Sequence, residues 1–327
     1  MHLSLGIRRA MQQCAQPDGT FAMLAMDQRG SLKHAMNPAA PGQVTYRELI
    51  ALKRDVIGVL SPLASAVLLD VEYGYGACVA SDTLSGQTGL LLALERTGYD
   101  GDPTARRTLL LENWSVEQTA KAGANGVKLL VYYHPDAPNC AEQEAVVAEV
   151  ARQCHAWALP LFLEPLHYSL DRNVKQVPNA ERRRVVIETA RRLVPLGVDV
   201  LKAEFPLDVT QSADRAEWAD ACAELSEASA VPWVLLSAGM DFETYLAQVD
   251  IACAAGASGI LCGRTIWKET TQLDEKARLH FLQTTASDRF RQLVALVSKR
   301  ARPFTDFYPG TSGDALENWY HSPVNVR

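Results

Sequence analysis

Short apolar runs recur along the chain at intervals of about 30 to 40 residues, and polar stretches with helical spacing lie between most of them. The runs, each rich in leucine, valine or isoleucine, lie at 21–27, 66–73, 108–112, 126–133, 160–166, 198–206, 232–239 and 259–266. The helical segments are clearest at 141–158, 180–193, 214–229 and 242–255. This alternation predicts βαβ units and a parallel sheet. The continuous apolar character of the runs agrees, since parallel strands are covered on both faces.

Eight strand-helix units that close on themselves predict a (β/α)8 TIM barrel, a fold that takes about 250 residues. An open doubly wound sheet is the alternative. Its nucleotide-binding form requires G-x-G-x-x-G after the first strand, and residues 27–31 read DQRGS instead. We therefore predict one domain over 1–327, with the barrel at about 20–300, an extra N-terminal segment and an aromatic tail at 301–327. The tail is expected to form a strap or a subunit contact through its aromatic residues, Phe304, Phe307, Tyr308, Trp319 and Tyr320.

Composition removes several classes of function. The 38 acidic residues exceed the 32 lysines and arginines, giving a formal net charge of -6, which argues against a nucleic-acid partner. No apolar run approaches the roughly 20 residues of a membrane span, and the N-terminus lacks the pattern of a secretory signal, so we expect a cytoplasmic protein without a membrane partner. Seven cysteines without a Cys-x-x-Cys pair indicate reduced thiols, most of them small core residues.

Charged residues interrupt several predicted strands. Lys128, Glu164 and Lys202 lie inside apolar runs, and Asp27 ends the first run. Burying an unpaired charge costs several kcal/mol, so these groups must pair, change protonation state or face a ligand. Catalytic groups of a TIM barrel come from the C-terminal ends of its strands. These four charges, together with Asp70 and Glu72 at the end of the second run, are therefore candidates to pair with one another or to face a ligand.

Strand alternation places Lys202 and Glu204 on one face. If Lys128 also points inward, two amino groups and one or two carboxylates meet in a poorly solvated barrel mouth. A lysine beside a second cation loses its proton more readily and can form a Schiff base with a carbonyl. A carboxyl group such as Glu164 in apolar surroundings can pass protons. The alternative is a buried ion pair that only tolerates the barrel interior.

The last two strands end in small residues and a cation, with Ser237 and Gly239 after strand 7 and Gly263 and Arg264 after strand 8. Barrels often bind phosphate with these two loops, through backbone N–H groups, and an arginine can add a bidentate contact. An ordinary tight turn and a surface arginine are the alternative. The seven histidines show no zinc-ligand spacing and no Gly-x-Ser-x-Gly motif occurs, so we expect neither metal nor cofactor.

Seven motifs, taken together, resemble the class I tagatose 1,6-bisphosphate aldolase family, which also includes the related sulfofructose-phosphate aldolases. The motifs are AMDQRG at 25–30, LDVEYG at 69–74, GVKLL at 126–130, FLEPL at 162–166, LKAE at 201–204, LSAG at 236–239 and LCGR at 261–264. The resemblance runs from about residue 20 to 267. It implies a metal-free aldolase on a (β/α)8 barrel that releases dihydroxyacetone phosphate and a three-carbon aldehyde.

The resemblance also implies residue roles. Lys202 matches the Schiff-base lysine, Glu164 the proton-transferring carboxylate, and Lys128 and Asp27 polar groups near the reacting carbons. The remaining matches concern substrate binding: Ser237, Gly239, Gly263 and Arg264 at the phosphate of the dihydroxyacetone half, and Gln28 and Arg29 at the other end. The implied partner is a small sugar phosphate, and a homo-oligomer is expected.

Substrate choice divides the motifs between two branches of the family. Residues 21–25 and 60–66 look like the sulfosugar branch, whereas four segments at the strand ends look more like the tagatose branch: 70–74, 162–166, 237–239 and 262–264. This favours tagatose 1,6-bisphosphate over 6-deoxy-6-sulfofructose 1-phosphate. Two other functions stay open from the residues alone: a glycosidase that pairs Glu164 with Glu204 or Glu72, and a sugar-phosphate-binding barrel without activity.

Overall fold

Eight parallel strands close into a barrel in the computed structural model, which describes residues 3–174 and 176–310. Each strand pairs with its neighbour in the chain, and β8 pairs with β1, so the predicted (β/α)8 fold is confirmed. The strands are β1 (Phe21–Met26), β2 (Ala66–Leu69), β3 (Gly89–Ala93), β4 (Gly126–Tyr132), β5 (Leu161–Leu166), β6 (Val200–Ala203), β7 (Trp233–Leu235) and β8 (Gly259–Cys262).

Helices cover the outside of the barrel and close its N-terminal end. They are α1 (Leu5–Cys14), α2 (Gly30–Met36), α3 (Tyr46–Leu60), α4 (Gly76–Ala80), α5 (Val116–Lys121), α6 (Cys140–Ala156), α7 (Asn179–Leu193), α8 (Arg215–Ala228), α9 (Phe242–Ala254), α10 (Arg264–Trp267), α11 (Glu275–Phe281) and α12 (Ser287–Arg300). The predicted segments at 141–158, 180–193, 214–229 and 242–255 correspond to α6 to α9. A capping box of Thr45 and Glu48 fixes the start of α3, which carries a buried lysine toward the site.

The third strand is not where the apolar pattern predicted it. The run at 108–112 forms only an isolated bridge between Leu110 and Glu95, and Leu110 is 37% exposed. The strand is instead Gly89–Ala93, which is buried along its whole length between β2 and β4. Both runs contain three leucines, and a short apolar run by itself does not reveal whether both of its faces are covered. With the strand at Gly89–Ala93, the charged residue that follows β3 is Glu95.

The described part of the aromatic tail packs across the N-terminal end of the barrel. Phe304 stacks on Phe21 of β1 with ring centroids 5.7 Å apart. The Tyr308 hydroxyl donates to the backbone oxygen of Asp199 at 2.9 Å, and the Arg8 guanidinium donates to the oxygen of Tyr308 at 2.7 Å. The contacts lie at the end of the barrel opposite the strand C-termini. Trp319 and Tyr320 lie outside the described residues.

Cysteines serve as small core residues, as predicted, and six of the seven are buried. Burial raises the pKa of Cys78 to about 11 and that of Cys262 to about 12, which suppresses thiolate chemistry at those positions. In the part of the chain that the structure describes, no helix is both long and apolar enough to cross a membrane.

Candidate active site

Five charged side chains meet inside the barrel at the C-terminal ends of its strands. Two of them follow strands β1 and β3, and the other three lie on strands β4, β5 and β6. In chain order they are Asp27, Glu95, Lys128, Glu164 and Lys202. None of their side chains is more than 11% exposed. The structure thus brings together the four predicted catalytic residues and adds one that the sequence analysis missed.

Lys128 is surrounded by carboxylates. Its Nζ lies 2.6 Å from Glu95 Oε1, 2.9 Å from Asp27 Oδ2 and 3.0 Å from Glu164 Oε2. Burial disfavours the charged amine, but the three carboxylates outweigh burial and raise the pKa of Lys128 well above its ordinary value. Lys128 is therefore held as an ammonium ion.

Lys202 has a sparser environment. Its Nζ donates to Glu164 Oε2 at 2.8 Å, and this is its one carboxylate contact within the described ranges. The same oxygen of Glu164 also contacts Lys128, so this carboxylate bridges the two amines. With one partner against the three of Lys128, Lys202 is the less restrained amine and the better placed of the two to act as a nucleophile.

Asp27 directly follows β1, and one of its carboxylate oxygens has no hydrogen-bond donor in the described part of the chain. Burial pushes the pKa of Asp27 upward, but the positive charges of Lys128 and then Lys202 prevail and lower it, so the group is ionised. Its Oδ1 atom is buried and has no hydrogen-bond partner among the described residues. Buried polar atoms are nearly always paired in native proteins. This oxygen is suited to accept a hydrogen bond from a bound ligand.

Glu95, the missed carboxylate, follows β3. Its Oε1 accepts from Lys128, and its Oε2 accepts the backbone N–H of Leu130 at 3.0 Å. The signal was available in the sequence as GLLLALE at 89–95, an apolar run that ends in a charge. Because the apolar pattern places the third strand at 108–112, Glu95 falls outside the predicted strands and is missing from the candidate residues.

A third buried lysine, on α3, fixes the end of β1. Lys53 is fully buried, and its Nζ donates to the backbone oxygens of Met26 at 2.7 Å and Gln28 at 2.9 Å. It also forms a 2.5 Å ion pair with Asp70, which follows β2. These contacts hold the carbonyls on both sides of Asp27 and so position its side chain.

Gln28 and Arg29 were expected to line the same end of the substrate, but they diverge. The Arg29 guanidinium pairs with Glu72 at 2.6 Å and donates to the backbone oxygen of Glu95 at 2.7 Å, on the β2 and β3 side. The Gln28 amide nitrogen lies 3.3 Å from the position that a Cβ atom on Gly263 would occupy. Gln28 therefore lies beside the loop after β8, and its Oε1 has no partner in the described part of the chain.

The loops after β7 and β8 come together as predicted. The N–H of Gly263 donates to Ser237 Oγ at 3.3 Å, and Gly239 adopts a left-handed φ of 78°. The Arg264 guanidinium lies 3.6 Å from the position of a Cβ atom on Gly239, at ordinary van der Waals distance, so Arg264 packs against this glycine. Lys268, not predicted, donates to the backbone oxygen of Gly239 at 2.9 Å. The two loops thus bring small residues and two cations, Arg264 and Lys268, to the C-terminal ends of β7 and β8.

Glu204 does not join Lys202, and that expectation is wrong. Strand β6 ends at Ala203, so alternation no longer governs the next residue. Glu204 instead accepts from His167 Nδ1 at 2.7 Å and lies 3.7 Å from Arg182. His134 lies in the loop after β4 and is 2% exposed. Within residues 3–174 and 176–310, no three histidine, cysteine or acidic side chains are arranged to hold a metal ion.

Comparison with known proteins gives a consistent family. Residues 21–269 match the DeoC/LacD family aldolase. The chain is 34% identical over 322 residues to a tagatose 1,6-diphosphate aldolase of Lactococcus lactis subsp. lactis, covering 91% of this chain and 97% of the relative. It is also 34% identical over 313 residues to tagatose 1,6-diphosphate aldolase 1 of Streptococcus pyogenes serotype M1, covering 88% and 94%.

Solved structures share the fold at lower sequence identity. An archaeal fructose 1,6-bisphosphate aldolase matches with a TM-score of 0.58 at 21% identity, over 90% of this chain and 99% of the other. The fructose-bisphosphate aldolase of Plasmodium falciparum matches with a TM-score of 0.69 at 14% identity, over 92% and 98%. The family that the seven motifs indicated is thus confirmed at the level of fold and sequence. The chain belongs to the DeoC/LacD family of aldolases, which are carbon-carbon lyases.

Proposed function

We propose that this aldolase cleaves a phosphorylated ketose, with tagatose 1,6-bisphosphate favoured, into dihydroxyacetone phosphate and a three-carbon aldehyde through a Schiff base on Lys202. The observation that carries the proposal is the unequal surroundings of two buried lysines. One is fixed as an ammonium ion by three carboxylates, whereas the other shares a single carboxylate oxygen. The named activity of the relatives supports the substrate class.

The first half of the reaction breaks the carbon-carbon bond. The Lys202 amine adds to the C2 carbonyl, and loss of water gives a protonated imine. As the C3–C4 bond breaks, its electron pair moves into the imine and leaves an enamine on Lys202. The C4 hydroxyl proton passes to Glu164 as the new aldehyde forms. The aldehyde then departs.

The second half restores the enzyme. Glu164 returns its proton to C3 of the enamine, and water hydrolyses the resulting imine to release dihydroxyacetone phosphate and the free Lys202 amine. Lys128, as an ammonium ion next to Glu164, stabilises negative charge that develops on the C4 oxygen. The unpartnered oxygen of Asp27 accepts a substrate hydroxyl in this scheme. Each step uses only side chains and water, and none requires a metal or cofactor.

The C1 phosphate is assigned to the loops after β7 and β8. Backbone N–H groups near Gly239 and Gly263, the Ser237 hydroxyl and the Arg264 guanidinium supply donors, and the Gln28 amide lies beside them. This differs from the expected place of Gln28 at the other end of the substrate. The assignment fixes the direction in which the substrate crosses the barrel.

Arg264→Ala should raise KM for the phosphorylated ketose by roughly 10- to 100-fold with a smaller change in kcat, because a charge-assisted contact to a nonreacting group is lost. Steady-state kinetics of cleavage measures the effect. Arg152→Ala, an exposed arginine paired with Glu149 on α6, is the control and should leave KM unchanged. An unchanged KM in Arg264→Ala would place the phosphate elsewhere.

Two measurements on the wild-type protein test the proposed function. Borohydride reduction with dihydroxyacetone phosphate should add the reduced adduct to the peptide that carries Lys202, as seen by mass spectrometry. Cleavage of tagatose 1,6-bisphosphate, fructose 1,6-bisphosphate and 6-deoxy-6-sulfofructose 1-phosphate, with and without a chelator, should be fastest for the first and insensitive to the chelator. An active enzyme without an adduct would refute the Schiff base.

The same measurements separate the alternatives. Fastest cleavage of the sulfosugar would replace the tagatose assignment. Binding of all three sugars without turnover would indicate the noncatalytic barrel, and hydrolysis of aryl glycosides would indicate the glycosidase. The cytoplasmic location, the homo-oligomeric state and the single domain over 1–327 stay predictions of the sequence.

A further inference from the structure

The barrel topology shows which strands face the far end of a substrate. In a closed barrel with the order β1 to β8, strands β3 and β4 lie across the axis from β7 and β8. With the C1 phosphate at β7 and β8 and the imine on β6, the rest of an extended ketose points toward β3 and β4. The segment that joins these two strands, residues 94–125, therefore borders the distal carbon.

One cation of this segment is held among aromatic rings. The guanidinium carbon of Arg106 lies 4.6 Å from the ring centroid of Tyr99, 4.7 Å from that of Tyr168 and 5.6 Å from that of Tyr132. Tyr132 is the last residue of β4, four positions after Lys128, and alternation puts the two on the same face of the strand. Arg106 and the three tyrosine rings therefore lie at the barrel mouth, beyond Lys128 along β4.

The backbone around Arg106 is anchored to the barrel. The oxygen of Arg106 accepts from Asn139 Nδ2 at 2.9 Å. The Thr108 hydroxyl accepts the N–H of Tyr132 at 3.1 Å, and the Thr108 N–H donates to Gln143 Oε1 at 3.0 Å. These contacts fix the arginine relative to the end of β4 and the start of α6. Arg106 is therefore part of a built site and not a loose surface side chain.

Arg106 also keeps its hydrogen-bonding capacity. Its Nε donates to the backbone oxygen of Pro103 at 3.0 Å, and within the described ranges its terminal nitrogens have neither a carboxylate nor another acceptor. Two other arginines of the segment are paired, Arg96 with Glu112 at 3.6 Å and Arg107 with Glu142 at 3.3 Å. A planar guanidinium with unused terminal donors matches a tetrahedral oxyanion.

We propose that Arg106, held by Tyr99, Tyr132 and Tyr168, binds the oxyanion on C6 of the ketose phosphate, a phosphate or a sulfonate. The inference rests on the proposed function and extends it to the distal group. Both anions present three equivalent oxygens to a guanidinium fork, so both satisfy the same donors. The enzyme then selects ketose 1-phosphates with a charged C6 group over those with a C6 hydroxyl.

The test compares substrates that differ only at C6. We expect Arg106→Met to lower the ratio of kcat/KM for tagatose 1,6-bisphosphate over tagatose 1-phosphate by roughly 10- to 100-fold, the effect of losing a hydrogen-bonded charge. The second arm measures 6-deoxy-6-sulfofructose 1-phosphate over fructose 1-phosphate. A fall in either ratio supports the proposed site, and the larger of the two wild-type ratios identifies the anion, phosphate or sulfonate, that the site selects. Arg96→Met and Arg107→Met, the paired arginines of the same segment, are matched controls and should leave both ratios unchanged.

Arg106→Lys keeps the charge but not the planar fork, and it should lower the same ratio by a smaller factor. This variant decides the matter if Arg106→Met fails to fold. The inference would be overturned by wild-type kcat/KM ratios near one, or by ratios that neither variant changes. Cleavage of the 1-phosphate sugars would in that case still support the aldolase function. Failure of the wild type to cleave any of the four sugars would instead overturn the proposed function.

Discussion

Lys202→Arg should lower kcat/KM for ketose phosphate cleavage by roughly 10,000-fold or more and abolish borohydride trapping, because a guanidinium keeps the charge but is no nucleophile. In the wild type, the Glu164 carboxylate accepts from Lys202 at 2.8 Å, and the arginine of the variant still places a cation beside it. Cleavage assays and mass spectrometry of the reduced protein measure the two effects. Thermal unfolding of the variant checks that the barrel is intact.

Lys128→Arg is the matched control for this experiment. An arginine at position 128 keeps a cation among Asp27, Glu95 and Glu164. An apolar residue there would leave these three carboxylates without their shared cation. Removing one partner of a buried ion pair costs about 3 to 5 kcal/mol, which would confuse loss of activity with loss of folding. We expect Lys128→Arg to remain trappable with a reduced kcat. An adduct on Lys128, or trapping in Lys202→Arg, would contradict the assignment of the nucleophile.

Charges placed inside apolar strands made most of this site predictable. Lys128, Glu164 and Lys202 stand out because a buried strand has no solvent in which to place a charge. Glu95 escaped only because two leucine-rich runs compete for the third strand, and the choice depends on what covers each face. The periodicity of one segment does not contain that information.

Other parts of the site depend on contacts between distant elements. Lys53 follows a helical pattern on α3, and only the packed structure reveals that it holds the carbonyls of Met26 and Gln28. Arg106 lies two residues before the run predicted as the third strand, and its three tyrosines come from three separate segments. The raised pKa of Lys128 likewise follows from the three carboxylates around it, which strand patterns do not specify.

Glu164→Gln should separate formation of the Schiff base from proton transfer. Its amide cannot take up the C4 hydroxyl proton, so we expect kcat for cleavage to fall roughly 100- to 10,000-fold. Lys202 remains able to form the imine, and borohydride trapping with dihydroxyacetone phosphate should persist. Exchange of the C3 proton of dihydroxyacetone phosphate with deuterated water, followed by NMR, should fall in parallel with cleavage.

Glu204→Gln serves as the control for this charge change. Glu204 is buried at the same end of the barrel, but it bonds to His167 and Arg182 instead of the lysines, so cleavage and exchange should change by no more than a few-fold. Exchange at the wild-type rate in Glu164→Gln would assign the proton to another group. Asp27 would then be the first candidate for the proton transfer. Among the described residues of the cluster, its Oδ1 is a buried carboxylate oxygen without a hydrogen-bond partner, and it is therefore available to the substrate.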